Sequence, residues 1–197
     1  MVFHLYEKLI QGLLEKDFES VDNWLAPGEL VRLRKSLLAH YNNAHFYTAG
    51  IGNKDNLQTL EKIRNDRIRW VDPLLANPCE KEFFEKIQGF VDHLNRTCYT
   101  GISSFEFQYA VYSIGSFYKK HVDQFQNDGR RQFSIVFYLT ESWKAGDGGE
   151  LLLYTNNQVS KIEPKPGRMV FFKSDIPHEV LTSHHERLSL TGWMKSV

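Results

Sequence analysis

Two histidines, an aspartate and an arginine carry the chemistry open to this sequence. They are His121 and Asp123 in "YKKHVDQF", His178 in "SDIPHEV", and Arg187 at the head of "RLSLTGW". Residues two apart in a strand face the same side, so "YKKHVDQF" as a strand lets imidazole and carboxylate converge on one cation. His-x-Asp alone says little. With eight histidines among 197 residues, and the aspartates present, the pair should arise ~0.4 times by chance.

A further histidine downstream changes those odds. Two imidazoles and one carboxylate on a single face suit a non-haem Fe(II) with adjacent positions left open. His178, after Pro177 at the start of a strand, is the best third ligand, because a turn there holds it rigidly. His184 and His185 are neighbours in the polar stretch "TSHHER". Adjacent residues of an extended chain face opposite ways, so the pair cannot both join the site, and they read as solvated turn residues. Arg187 then has a purpose. Alternation places Arg187, Ser189, Thr191 and Trp193 on one face and Leu188, Leu190 and Met194 on the other. An arginine leading a polar, small and aromatic face suits a cavity for a carboxylate, gripped by two parallel hydrogen bonds. The ordinary alternative is an exposed arginine at a strand start.

These groups need a rigid frame, and the sequence supplies two kinds of element. Apolar residues recur at helical spacing in three places: Phe3 to Leu14, Pro27 to Tyr41, and Phe83 to Leu94. "AHFYTAG" and "DRIRWVD" read as strands joined by a polar segment, Gly52 to Asp66, long enough to suggest a lid or binding loop. From Ser104 the period becomes two. "SFEFQYAVYS", "RRQFSIVFYLT", "ELLLYT", "QVSKIE", "GRMVFFK", "HEVLT" and "RLSLTGWMK" follow one another between turn signals such as "GDGG" and "PKPG". The expectation is a mainly β fold, a sandwich or barrel backed by N-terminal helices, as one domain over 1–197: helical support in 1–100 and the strand-rich core in 101–197.

Composition narrows the function. Lys plus Arg equals Asp plus Glu at 24 each, so no overall charge draws the chain to nucleic acid or an anionic membrane. No run approaches the ~20 apolar residues that cross a bilayer, and the N-terminus lacks a signal-peptide pattern. Two cysteines at no zinc-like spacing fit free thiols in a reducing compartment. The expected setting is cytoplasmic, with no membrane or nucleic-acid partner.

"YSIGSFYKKHVDQF", "GGELLLY", "PGRMVFFKSDIPHEV" and "RLSLTGW" together resemble the 2-oxoglutarate- and Fe(II)-dependent dioxygenases of the prolyl 4-hydroxylase type. "IRNDRIRWVD" and "FFKSDIPHEV" look most like the oxygen-sensing prolyl-hydroxylase-domain branch and its bacterial relatives. The resemblance covers roughly Phe46 to Trp193. It implies a double-stranded β-helix core (a cupin-like jelly roll). It implies that His121, Asp123 and His178 ligate Fe(II), and that Arg187 binds the distal carboxylate of 2-oxoglutarate. Tyr112 and Tyr138 match tyrosines lining that pocket, and Trp193 an aromatic near the metal. Gly52 to Asp66 matches a substrate-covering segment, so Arg64 and Asp66 would touch substrate, and Arg131 matches a position near a target proline. A plain solvated charged loop is the alternative for these three.

The resemblance implies hydroxylation of a prolyl residue in a protein or peptide, with dioxygen consumed, succinate and CO2 as coproducts, and ascorbate (vitamin C) as a reductant. The rivals are a small-molecule hydroxylase of the same chemistry and a slow or non-catalytic oxygen- or iron-sensing module.

Overall fold

The computed structural model describes residues 2–50, 62–124, 128–155 and 158–197. Two antiparallel sheets face each other. The larger has seven strands in the order β1-β9-β6-β11-β4-β3-β2, and the smaller has four in the order β5-β10-β7-β8. The larger comprises β1 (Phe18–Val21), β2 (Tyr47–Thr48), β3 (Arg67–Trp70), β4 (Ile102–Tyr112), β6 (Arg131–Tyr138), β9 (Met169–Lys173) and β11 (Arg187–Ser196). The smaller comprises β5 (Tyr118–His121), β7 (Leu151–Thr155), β8 (Gln158–Ile162) and β10 (His178–Val180). Three helices complete the chain: α1 (Val2–Lys16), α2 (Pro27–Asn42) and α3 (Pro78–Cys98).

The period-two pattern sorts the central strands into two cores. On β6, Ile135 and Phe137 join Leu9, Leu37, Ile87 and Phe90 of the helices in one buried cluster. Val136 and Tyr138 point the other way, into a second cluster with Leu151, Leu153 and Val180 of the smaller sheet. The helices thus cover one face of the large sheet, and the small sheet covers the other. Each strand residue has one place, because a one-residue slip would exchange the two faces. The α2 and α3 starts follow rule: Pro27 and Pro78 occupy first-turn positions, and the Asn77 side chain accepts from Glu80 N at 3.1 Å.

Three sequence expectations change. "AHFYTAG" yields only the two-residue β2. Phe18–Val21, hidden behind the α1 pattern, forms β1 and pairs with β9. The strand through "YKKH" stops at His121, so Asp123 sits in a bend and not beside His121 on a strand face. Most of the expected substrate loop, residues 51–61, lies outside the described residues. Among the described residues, no helix is long and apolar enough to cross a membrane. Cys79 and Cys98 are free thiols.

Candidate active site

His121 ends β5, His178 begins β10, and the two are direct cross-strand partners. Their rings lie 4.2 Å apart between centroids. Each ring is aimed by its own backbone. Nδ1 of His121 lies 2.7 Å from the Lys119 carbonyl, and Nδ1 of His178 lies 2.9 Å from the Ile176 carbonyl. Bonds of this kind place the proton on Nδ1 and leave each Nε2 lone pair free to ligate. Both Nε2 atoms face Asp123, at 3.7 Å from Oδ1 for His121 and 3.5 Å from Oδ2 for His178.

The bend delivers Asp123 by a different route from the one the strand pattern suggests. The backbone N–H groups of Asp123 and Gln124 both donate to the Ser174 carbonyl at 3.0 Å. Ser134 Oγ donates to Asp123 Oδ2 at 2.7 Å and lies 2.9 Å from Ser174 Oγ. The three ligand atoms fall within 4.8 Å of one another. Burial alone would raise the Asp123 carboxyl, but the positive charge that His178 and His121 carry when protonated, together with the Ser134 bond, outweighs it and holds the group well below the usual range. Burial lowers His178 to about 4, so its imidazole is neutral near pH 7. One buried carboxylate and two oriented imidazoles form a donor set suited to a divalent transition metal, with the remaining positions open.

Beside this cluster lies a buried cation. Arg187 is 4% exposed, opens β11 and is the cross-strand partner of Tyr112. Its guanidinium carbon stands 4.6 Å from the Tyr112 ring and 4.9 Å from the Tyr138 ring. Its side chain makes a long hydrogen bond to Ser189 Oγ at 3.4 Å, and its Nε has no partner among the described residues. Among the described residues no carboxylate pairs with it. The Tyr138 hydroxyl, and further along β11 the Trp193 indole N–H, are also buried without a well-formed hydrogen bond among the described residues. Arg187 is near enough to Tyr138 to favour its ionised form, yet burial dominates and pushes the phenol up. Buried polar groups left unpaired call for an explanation, and the Arg187 Nε beside the Tyr138 hydroxyl is explained by an anionic ligand.

Gly149 makes room for Arg187. It sits at φ +72°, and a Cβ there would lie 2.7 Å from Ser183 Oγ and 2.9 Å from Arg187 Cδ. Trp193 stands beside the cross-strand partner Ser134, with the Arg131 guanidinium 3.9 Å above its ring. Arg131 also pairs with Glu106 at 2.7 Å. Arg64 and Asp66 are both buried and form a two-pronged ion pair at 2.8 and 2.7 Å, so neither belongs to a solvated loop. The Arg64 guanidinium lies 4.2 Å over the Tyr118 ring, which stacks on His121 at 3.4 Å and 14°. His184 and His185 are exposed; His185 faces Asp147 at 3.5 Å, and both stay outside the cluster.

Sequence reading missed the groups that hold the others: Ser134 and Ser174 behind Asp123, Tyr118 under His121, and Gly149 beneath Arg187. The signals were present. Ser134 interrupts the apolar run "FSIVFY", and Tyr118 closes the "Y-x-x-G-x-x-Y" run.

Comparison with known proteins agrees with this geometry. Residues 107–195 match the model of the 2OG-Fe(II) oxygenase superfamily. A hypoxia-inducible factor prolyl hydroxylase of Caenorhabditis elegans is 28% identical, over 96% of this chain and 28% of its own. Human Egl nine homolog 1 is 31% identical, over 66% of this chain and 33% of its own. The chain therefore spans about a third or less of these curated relatives. The crystal structure of a Pseudomonas putida prolyl-4-hydroxylase superposes with a TM-score of 0.88 at 29% identity, covering 98% of this chain and 100% of that one. The two facing sheets are the double-stranded β-helix of that fold, and the chain carries a 2OG-Fe(II) oxygenase domain homologous to the prolyl hydroxylases.

Proposed function

We propose that this protein hydroxylates a prolyl residue of a protein or peptide, with Fe(II), 2-oxoglutarate and dioxygen, giving succinate and CO2. The observation that carries the cosubstrate assignment is Arg187, a buried guanidinium in a tyrosine-lined pocket with no carboxylate partner among the described residues. In this reading His121, Asp123 and His178 hold Fe(II), which supplies the oxidising chemistry when 2-oxoglutarate and dioxygen are present.

The chain's own groups do the rest. Arg187 binds the far carboxylate of 2-oxoglutarate, and the rings of Tyr112 and Tyr138 wall the pocket and exclude water. The Tyr138 hydroxyl gains a hydrogen-bond partner when that carboxylate arrives. Ser134 keeps Asp123 turned toward the two Nε2 atoms. Trp193, held flat by Arg131, shapes the open side near the metal, where a target proline would enter. Arg64 and Asp66 reach substrate indirectly. Their ion pair lies just after residues 51–61, and Arg64 also donates to the Gly50 carbonyl just before them at 3.3 Å. Ascorbate would restore iron oxidised in turnovers that miss substrate. A cytoplasmic setting and a single folded unit over 1–197 complete the reading.

A small-molecule hydroxylase is the second reading. The test is aerobic incubation of the protein with Fe(II), 2-oxoglutarate and a host proteome, read by peptide mass spectrometry beside Asp123→Ala. A single oxygen added to a defined proline, only with the intact triad, is the expected result. Succinate formation stimulated by a metabolite fraction, with no modified peptide, would transfer the assignment to a small molecule.

A further inference from the structure

Away from the β-helix, the C-terminus of α2 ends in a Schellman turn. His45 N donates to the His40 carbonyl and Ala44 N to the Tyr41 carbonyl, each at 3.1 Å. Ala44 takes the left-handed conformation at φ 57°, which such a turn requires and glycine usually supplies. The turn brings together the side chains five residues apart at its two ends, commonly an apolar pair. Here both are imidazoles. Nδ1 of His40 and Nδ1 of His45 face each other at 3.4 Å.

That separation is informative. A direct hydrogen bond from N–H usually closes to about 2.9–3.0 Å, so 3.4 Å is long for one. Two nitrogens at ~2.05 Å from a tetrahedral Zn2+ stand about 3.3–3.4 Å apart, which matches the separation of the pair. A carboxylate backs one of the rings. Glu80, 3% exposed, places Oε1 at 3.6 Å from His40 Nε2. It is itself fixed by Ser36 Oγ at 2.9 Å and the Tyr109 hydroxyl at 3.0 Å. This carboxylate–histidine arrangement favours the proton on Nε2 and leaves the Nδ1 lone pair toward His45, as metal-binding histidines are commonly oriented. The negative end of the α2 dipole adds attraction for a cation. Partial burial, and then the Arg69 charge, lower the tendency of His40 to carry a proton's charge itself.

We propose that His40 and His45 form a second metal site, taking a borderline divalent ion of the Zn2+ class through both Nδ1 atoms, with water in the remaining positions. Nitrogen-only ligation selects such ions over Mg2+ or Ca2+. Two protein ligands give a site that exchanges its ion readily, separate from the buried triad.

The test records imidazole nitrogen resonances of the full chain as ZnCl2 is added to two equivalents, with equilibrium dialysis for stoichiometry. The expected result is movement of both Nδ1 resonances, and their retention in Asp123→Ala. His45→Gln should lose one bound zinc, with affinity at that site at least about tenfold weaker. His45 is exposed, so circular dichroism should show the fold unchanged, and His40→Gln provides an independent second variant. Unmoved His40 and His45 resonances at two equivalents would overturn the site. So would unchanged stoichiometry in His45→Gln and His40→Gln, or an equal response to MgCl2.

Discussion

Replacing Arg187 with methionine separates a ligand-binding role from a structural one. The side chain is buried and unpaired by any carboxylate among the described residues, with two tyrosine rings as its main neighbours. Burying an ion costs several kcal/mol, and two cation–π contacts return about 1–2 kcal/mol each. Without ligand, then, methionine of similar length should leave stability nearly unchanged or raise it. With ligand the balance reverses. Two charge-assisted hydrogen bonds to a carboxylate are worth about 1.5–3 kcal/mol each, so their loss weakens 2-oxoglutarate by about 10²–10⁴-fold. The assay is thermal unfolding with Mn2+ in the metal site, with and without 2-oxoglutarate. At about 100 times Kd the wild-type protein gains about 2.7 kcal/mol, roughly 5–11 °C for a chain of this size. Arg187→Met should begin within about 3 °C of wild type and gain almost nothing from 2-oxoglutarate. A variant that loses about 10 °C without ligand, yet keeps its affinity for 2-oxoglutarate, would refute the reasoning.

Three further predictions follow from neighbouring contacts. Ser134→Ala removes the 2.7 Å bond to Asp123 and should weaken metal binding by about 10–100-fold while sparing the Arg187 pocket. Equal metal affinity by titration would mean that the backbone bonds to Ser174 suffice to hold the carboxylate. Gly149→Ala forces a left-handed alanine against Ser183 and Arg187, and should lower both the melting temperature and 2-oxoglutarate affinity; wild-type values for both would show that the pocket yields. Burial lowers His178 from the usual 6.5 to about 4, so protonation favours the unfolded chain. The metal-free protein should therefore hold its full stability above pH 6.5 and lose it as pH falls toward 4, as urea midpoints would show. Asp123, also lowered, acts in the same direction. His178→Gln should flatten that loss, and a midpoint that rises with acid would contradict it.

The chemistry was easier to read in the sequence than its supports were. Period-two alternation in "RLSLTGW" placed Arg187, Ser189 and Trp193 on one face because β11 is a long central strand with both faces buried. Such a strand has no freedom to slip. The same logic misplaced Asp123, whose convergence with His121 depends on bonds to Ser174, 51 residues further on. Tertiary hydrogen bonds of that range leave no local pattern. Arg64 and Asp66 read as loop charges because each is polar, whereas in the fold they satisfy one another in a buried pair over Tyr118. β1 was masked by its position directly after α1, where four residues cannot establish a period of their own.

The central claim is that His121, Asp123 and His178 hold Fe(II) beside the Arg187 pocket. Anaerobic titration with Fe(II) and 2-oxoglutarate, followed by visible absorption, tests it most directly. The account predicts one tightly bound Fe(II) and a charge-transfer band that needs both additions, with iron and band alike lost in Asp123→Ala. An Asp123→Ala protein that binds Fe(II) as tightly and develops the same band would contradict it.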